Sequence, residues 1–355
     1  MGTGLRVGRA HPHRDFLSPG GCAHLRGAGA GAAGRPAGET APGEAGGRAD
    51  RGAAGGVYLK PCPKIRRGDL EETVRQFAVL QLSGCAGCEV SLLNAEAWVD
   101  RYKLVYMPLV ISAYDVPEVD VLLVSGGVRT DEDLYHLRRA ARRARQLVAV
   151  GTCAISGGVA NLGDRDEVRE LFLAETERRH LPRLLPKIRP VDAVVTVDRY
   201  LPGCPPTPEL FMAVLFTPTD FKVGKTVCRE CGRKKRRDMR PTCLIGFEQG
   251  EVLPDVCLIN QGYLCVGSST RGGCRALCTR PGYPCVGCRG PSDTFIDKLS
   301  SEWFVSIQRV FAAMTDIPAE EIETALRSPQ LALFLFQFSD YAGTGRPPRP
   351  KEKVL

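Results

Sequence analysis

Apolar positions in this chain first gather in short runs of strand length. "FAVLQL" (77–82), "VDVLLV" (119–124), "LVAVG" (147–151) and "AVVTV" (193–197) are four of them, rich in branched side chains. Stretches with helical spacing lie between them: "EVSLLNAEAWVDRY" (89–102), the amphipathic "DEDLYHLRRAARRARQ" (131–146) with its basic face, and a charged segment over 164–179. After the fourth run, "PPTPELFMAVLF" (205–216) opens a helix with prolines in its first turn. Strands that alternate with helices predict a doubly wound parallel α/β sheet.

From about Phe221 this pattern stops. Residues 222–292 carry nine cysteines among Gly, Pro and Arg, with few apolar runs. Such a segment is expected to lack a core of its own and to be organised by metal. "EWFVSIQRVFAAM" (302–314) and "SPQLALFLFQFSDYA" (328–342) then read as helices packing back on the body. At the other end, residues 27–56 hold eleven Gly and ten Ala without periodicity, too little apolar surface to offset ordering entropy. The expected organisation is a disordered extension over 1–70, an α/β domain over 71–220, a cysteine-rich domain of low regular structure over 221–300, and a helical segment over 301–355.

Composition refines this picture. With 43% hydrophobic residues the folded part can fill a core, and no stretch is apolar enough to span a membrane. No apolar segment marks the chain for export, so it is expected in the cytoplasm, where thiols stay reduced and fifteen cysteines read as metal ligands. The net charge is +8, but residues 1–70 hold eleven Lys or Arg against five Asp or Glu, leaving the body nearly balanced. Nucleic-acid binding is therefore not implied. The run "RKKRR" (233–237) reads first as a solvated loop, with docking of an acidic redox partner as the other reading.

The cysteines carry the chemistry. Cys85 and Cys88 follow the first run, Cys153 the third and Cys204 the fourth, so they converge on the carboxyl edge of the sheet, where doubly wound folds bind ligands. Four thiolates are the ligand set of a [4Fe–4S] cluster, and Gly84, Gly87, Gly151 and Gly203 would let the backbone approach its sulfides. A redox Cys-x-x-Cys with two structural cysteines is the blander reading. Farther along, the favoured grouping is Cys228, Cys231, Cys257 and Cys265 for one cluster, and Cys274, Cys278, Cys285 and Cys288 for another. Cys243 is left over and could displace Cys257; Cys22 and Cys62 lie in the extension. Zinc competes for the later cysteines, because paired Cys-x-x-Cys on a basic loop also describes zinc ribbons. The five histidines (11, 13, 24, 136 and 180) all fall outside the cysteine-rich part and are not expected to be ligands.

"SGCAGCEVSLLN", "GTCAISGGVA", "LPGCPP", "VCRECGRKK" and "CLINQGYLCVGSSTRGGCRALCTRPGYPCVGCRGP" together resemble the small, electron-transferring subunit of [NiFe]-hydrogenases, over about residues 75–300. The resemblance is strongest to cytoplasmic group 3 enzymes of the F420-non-reducing (methyl-viologen-reducing) and sulfhydrogenase types. It implies a flavodoxin-like domain and three [4Fe–4S] clusters. The proximal cluster is held by Cys85, Cys88, Cys153 and Cys204, the medial by the group ending in "CVGC", and the distal by Cys228 to Cys265. It also implies an obligate heterodimer with a large subunit that holds the nickel–iron centre, and an electron-acceptor protein or a flavin- or ferredoxin-type subunit. No residue of this chain is then catalytic.

Three departures from exported relatives follow. No histidine is available for the distal cluster, so all-cysteine ligation is expected. Cys278 stands where a proline often replaces a medial ligand, which favours a four-iron cluster of lower potential. The acid that serves proton transfer two residues after the second proximal cysteine is here Val90, with Glu89 beside it, so that role does not carry over. Two rivals remain: a cluster subunit of a complex I-like or membrane-bound hydrogenase assembly, against which the nine-cysteine tail argues, and a zinc-stabilised binding protein.

Overall fold

Branched apolar residues favour extended backbone, and the chain uses them for a five-stranded parallel sheet. The structure is a computed structural model that describes residues 74–164, 168–171, 173, 179–215, 225–246, 250–292 and 300–327. The sheet strands are β1 (Arg75–Gln81), β2 (Tyr102–Tyr106), β3 (Val119–Ser125), β5 (Ala144–Val150) and β7 (Arg199–Leu201), while β4 (Val128–Thr130) and β6 (Leu184–Arg189) form a separate antiparallel pair. The sheet order is β2-β1-β3-β5-β7. This is the 2-1-3-4-5 winding of flavodoxin-like folds, as expected.

Alternation along each strand feeds two apolar layers. Ala78, Leu80, Leu122, Val124, Leu147 and Ala149 face one layer, shared with helix α2 (Asp131–Ala141). Phe77, Val79, Val121, Leu123, Val148 and Val150 face the other, with Leu92 of α1 (Gly87–Leu93) and Phe211 of α4 (Pro208–Leu215). A sheet covered on both faces explains why its strands read as continuous apolar runs. Full burial of each such side chain contributes about 1.5–3 kcal/mol. Thr130 starts α2 with a reciprocal cap, its hydroxyl accepting from the Asp133 amide at 3.0 Å while the Asp133 carboxylate accepts from the Thr130 amide at 2.9 Å.

The expected fourth strand is displaced. Residues Val191–Ala193 form a 3₁₀ turn, and pairing with β5 is made by Arg199–Leu201. Val191 and Val197 are buried in the core without being strand, because an apolar run reports burial and not backbone conformation. The helix expected over 89–102 is shorter: α1 ends at Leu93, a 3₁₀ turn covers Glu96–Trp98, and the sheet-edge strand β2 begins at Tyr102. Of the helix expected over 164–179, residues 168–171 and 173 are described and helical.

The cysteine-rich part contains more apolar packing than expected. Leu258, Ile259, Tyr263, Leu264 and Val266 are buried together with Ile307 and Phe311 of α6 (Ser300–Met314) and Ile322 and Leu326 of α7 (Ala319–Arg327). The helix expected over 302–314 thus packs on the cysteine-rich part rather than on the sheet. Arg240 ties the two, donating to the carbonyls of Ala313 (3.0 Å) and Thr315 (2.6 Å) and pairing with Asp316. The extension over 1–70 and the helix expected over 328–342 lie outside the described residues.

Candidate metal centres

The strand register decides where the first cysteines go. Gln81 of β1 aligns with Ser125 of β3, Ser125 with Val150 of β5, and Val150 with Leu201 of β7. The strands therefore end in one row. Cys85 lies in the loop that leaves β1, and Cys88 in the first turn of α1. Cys153 sits in α3 (Gly151–Ser156), which starts directly at the end of β5, and Cys204 follows β7 by three residues. The Thr152 amide donates to Gly203 O at 2.8 Å, tying the last two loops together.

These four thiols feel one another. Burial first, then Glu89 and the sulfurs of Cys153, Cys204 and Cys85 push the Cys88 thiol far above its ordinary range. Burial, with Cys153, Cys288 and Cys85, raises Cys204 to about 12. Cys153 is also raised by burial, against the pull of the backbone amides of Ala160 and Val159 on its sulfur. Thiols so placed stay protonated on their own, and a metal that takes them as thiolates displaces the protons.

Gly151 shapes the cradle. It has φ +80°, and a Cβ built there would lie 2.5 Å from Cys88 Sγ. Of the other three glycines expected to face the cluster, only a Cβ at Gly87 would adjoin sulfur, 3.4 Å from Cys85 Sγ. Gly84 and Gly203 instead permit close backbone packing, against Gly126 and Pro206. Gly158, not among those expected, has φ +58°, and a Cβ there would lie 2.3 Å from Cys153 Sγ. Beneath the site Glu89 is buried, accepts a hydrogen bond from the Ser125 hydroxyl, and leaves its second oxygen without a partner. Val90 points outward, 50% exposed.

The second group is assembled by backbone pairing. Helix α5 (Val227–Cys231) carries Cys228 and Cys231. The Cys228 amide donates to Gly267 O (3.2 Å), beside Cys265, and the Cys257 amide donates to Lys234 O (2.8 Å). Desolvation, Cys257 and Cys231 raise Cys228 to about 11 against the Lys235 ammonium. Burial raises Cys265 to about 12, although the amides of Gly267 and Cys285 point at its sulfur, the latter at 3.3 Å.

Cys274, Cys278, Cys285 and Cys288 form the third group. Cys278 is raised by burial and by Cys274, and Cys288 to about 11 by burial, Cys274 and Cys278. This group stands between the other two. The Cys204 amide donates to the Cys288 sulfur, and the Thr152 hydroxyl donates to Cys288 O, on the side of the first group. On the other side the Cys285 amide reaches Cys265 Sγ. The series thus runs from the sheet edge through Cys274–Cys288 to Cys228–Cys265.

All twelve expected cysteines are free thiols, and they are the only free ones among the described residues. Cys243, unlike those twelve, is disulfide-bonded. Cys22 and Cys62 lie outside the described residues. His136 is an exposed partner of Glu132 at 3.6 Å, remote in sequence from the cysteines. Among the described residues, no three His, Cys, Asp or Glu side chains converge tightly enough to hold one metal ion. Tetrahedral zinc needs four donors about 2.0–2.3 Å from one point, whereas a cluster spreads its thiolates around several irons. Four thiols per group, amides aimed at sulfur and a glycine wall fit an iron–sulfur cluster.

Sequence reasoning passed over Arg289 and Arg271, which are 3% and 5% exposed. Burial and its neighbour Arg271 lower Arg289 to about 10, so it remains charged at neutral pH. The available signal was its place directly after the last cysteine, in "CVGCRGP".

Residues 85–217 match the family model described as NADH ubiquinone oxidoreductase, 20 Kd subunit. A vhu subunit of the F420-non-reducing hydrogenase of Methanococcus voltae is 35% identical over 246 residues, covering 64% of this chain and 85% of that protein. The delta subunit of sulfhydrogenase 2 of Pyrococcus furiosus is 29% identical over 265 residues, covering 71% of this chain and 98% of that protein. A chain of an NAD+-reducing [NiFe]-hydrogenase in the H2-reduced state is 34% identical over 40% of this chain and 88% of its own, with a TM-score of 0.37, too low to carry an argument. The matches to the hydrogenase subunits cover 64% and 71% of this chain, well beyond the length of the segment that the 20 Kd model matches. The chain belongs to the family of group 3 hydrogenase small subunits, and is an oxidoreductase subunit of a hydrogenase.

Proposed function

We propose that this chain relays electrons between the nickel–iron centre of a partner large subunit and an acceptor, through three [4Fe–4S] clusters. The observation that carries the reading is the continuous series of three groups of four free thiols. Cys85, Cys88, Cys153 and Cys204 would hold the proximal cluster, Cys274, Cys278, Cys285 and Cys288 the medial, and Cys228, Cys231, Cys257 and Cys265 the distal. Each bound cluster would supply one-electron chemistry, tuned by burial and by the amides that point at sulfur. This chain's residues orient the centres, exclude water and set the local charge.

The large subunit would cover the sheet edge. Cys85 is exposed there, and Val90 of α1 with Leu109 and Val110 beyond β2 are 47–53% exposed, apolar surface that a permanent partner would cover. No helix among the described residues is long and apolar enough to cross a membrane.

The acceptor would dock at the far end. Of "RKKRR", Arg233 is committed to the carbonyls of Thr279, Leu253 and Val256, and Arg236 to Asp238. Lys234, Lys235 and Arg237 are exposed, as is Arg229, and the Lys235 ammonium acts on Cys228. The exposed acids of the same segment are Asp238, already paired with Arg236, Glu251 and Asp255. Such a surface suits an acidic one-electron carrier.

Both halves of the proposal are tested on the chain co-purified with its large subunit. Under hydrogen the complex is expected to reduce methyl viologen and, at low salt, an acidic ferredoxin. Combining Lys234→Glu with Arg237→Glu should slow ferredoxin reduction about tenfold or more and remove its salt dependence, without slowing viologen. An unaltered ferredoxin rate would refute the docking surface; no viologen reduction by the parent complex would refute the hydrogenase relay.

A further inference from the structure

A buried cation clamps the first group of thiols to the third. Arg289 Nε donates to Gly272 O at 2.7 Å, and its Nη1 donates to Pro202 O. Gly272 lies two residues before Cys274, and Pro202 two before Cys204. The guanidinium therefore spans the loops of both groups, and the nearest thiols acting on it are Cys274 and Cys288. Arg271 is buried beside it, its amide donating to Gly290 O at 3.0 Å. Glu230 is the carboxylate that acts on Arg289, and it also accepts from the Gly273 amide at 2.6 Å.

Burying a guanidinium is costly unless its donors are bonded and its charge is met. Two carbonyls satisfy donors here but bring no negative charge. Arg289 and Arg271 bring two positive charges to the side of the third group, where thiolates holding a reducible cluster would meet them. Reduction adds one negative charge to that cluster. A fixed positive charge in a poorly solvated interior stabilises the added electron far more than it would in water.

We propose that Arg289 is a positioning residue for the relay, one whose fixed charge raises the reduction potential of the cluster held by Cys274, Cys278, Cys285 and Cys288. In such a relay the cluster of the third group would take up the one electron that the cluster of the first group gives up. No proton need accompany it, because the guanidinium is charged before and after. This inference rests on the three-cluster reading.

The test is a potentiometric titration of the anaerobic complex, following each reduced cluster by electron paramagnetic resonance. Arg289→Gln should move one of three midpoints to lower potential and leave the other two nearly unchanged, with iron content as in the parent. Arg289→Lys keeps the charge and should hold that midpoint near the parent's. Unmoved midpoints in the Gln chain would overturn the proposal. So would an equal drop in the Lys chain, which would make the two carbonyl bonds responsible instead of the charge. If the Gln chain loads less iron, Glu230→Gln reads the same field with opposite sign: a rise supports the proposal, and a fall or no change overturns it. A parent complex without three clusters would refute the underlying reading; three clusters with unmoved midpoints refute only this inference.

Discussion

Replacing Cys153 by serine is expected to abolish hydrogen-driven viologen reduction, by about 100-fold or more, and to remove about four iron per chain. The effect should exceed the roughly 10–100-fold typical of changes to groups that merely support a metal ligand. Cys153 stands in α3 at the abrupt end of β5, the central element of the row from which the first group emerges. Among the described residues no spare free thiol is available to replace it, since each of the others belongs to one of the three groups. The fold should survive, because α3 is anchored by Ala154 and Ile155, which pack in the core. Cys243→Ser is the matched control. Cys243 lies outside all three groups, so its replacement should leave both iron content and activity close to the parent's. Full iron and activity in the Cys153→Ser chain would remove the first site from the account.

Gly151→Ala is the second expected large effect, and it changes no ligand. The new methyl would sit 2.5 Å from Cys88 Sγ, so the sulfur or the strand end has to move. The backbone at φ +80° adds about 1–2 kcal/mol of strain for any residue with a Cβ. Iron should fall by up to about four per chain. Activity should drop about 10–100-fold, as when the surroundings of a metal ligand are disturbed. Gly232→Ala separates the two causes, because Gly232 has φ +76° but nothing within 4 Å of a built Cβ. That chain should show the strain in its denaturation midpoint and keep its iron. Equal iron in the Gly151→Ala chain and the parent would show that the cradle is not where the cluster binds.

The α/β half was legible because its strands are buried on both faces and so announce themselves as apolar runs. Three of the four expected strands appear within a few residues of their place: Arg75–Gln81, Val119–Ser125 and Ala144–Val150. The fourth run, 193–197, failed because Val197 is buried without being strand while Ala193 closes a 3₁₀ turn, and three residues, Arg199–Leu201, suffice to pair with β5. Tyr102–Tyr106 went unread because a strand at the edge of the sheet, half-exposed at its centre, gives a weak pattern. In the second half the cysteine spacing supplied the candidate ligands, while apolar spacing did not show the core that Leu258, Tyr263 and Val266 share with α6.

For the later cysteines, spacing supplied the sets of four and the resemblance supplied their order, with the group ending in "CVGC" between the other two. The contacts that bear on that order, such as Cys285 N to Cys265 Sγ between residues twenty apart, are visible only in the fold. The third group lies between the first and the second although it comes last in the chain. Arg289 escaped notice for a related reason: a single arginine after a cysteine looks solvated until burial shows otherwise.

The central claim, a three-cluster relay, is tested most directly by iron, sulfide, nickel and zinc analysis of the anaerobically purified chain with whatever accompanies it. About twelve iron and twelve sulfide per chain, with nickel in an accompanying subunit, is the predicted result. About four iron together with one or two zinc would confine the clusters to Cys85, Cys88, Cys153 and Cys204 and contradict the relay.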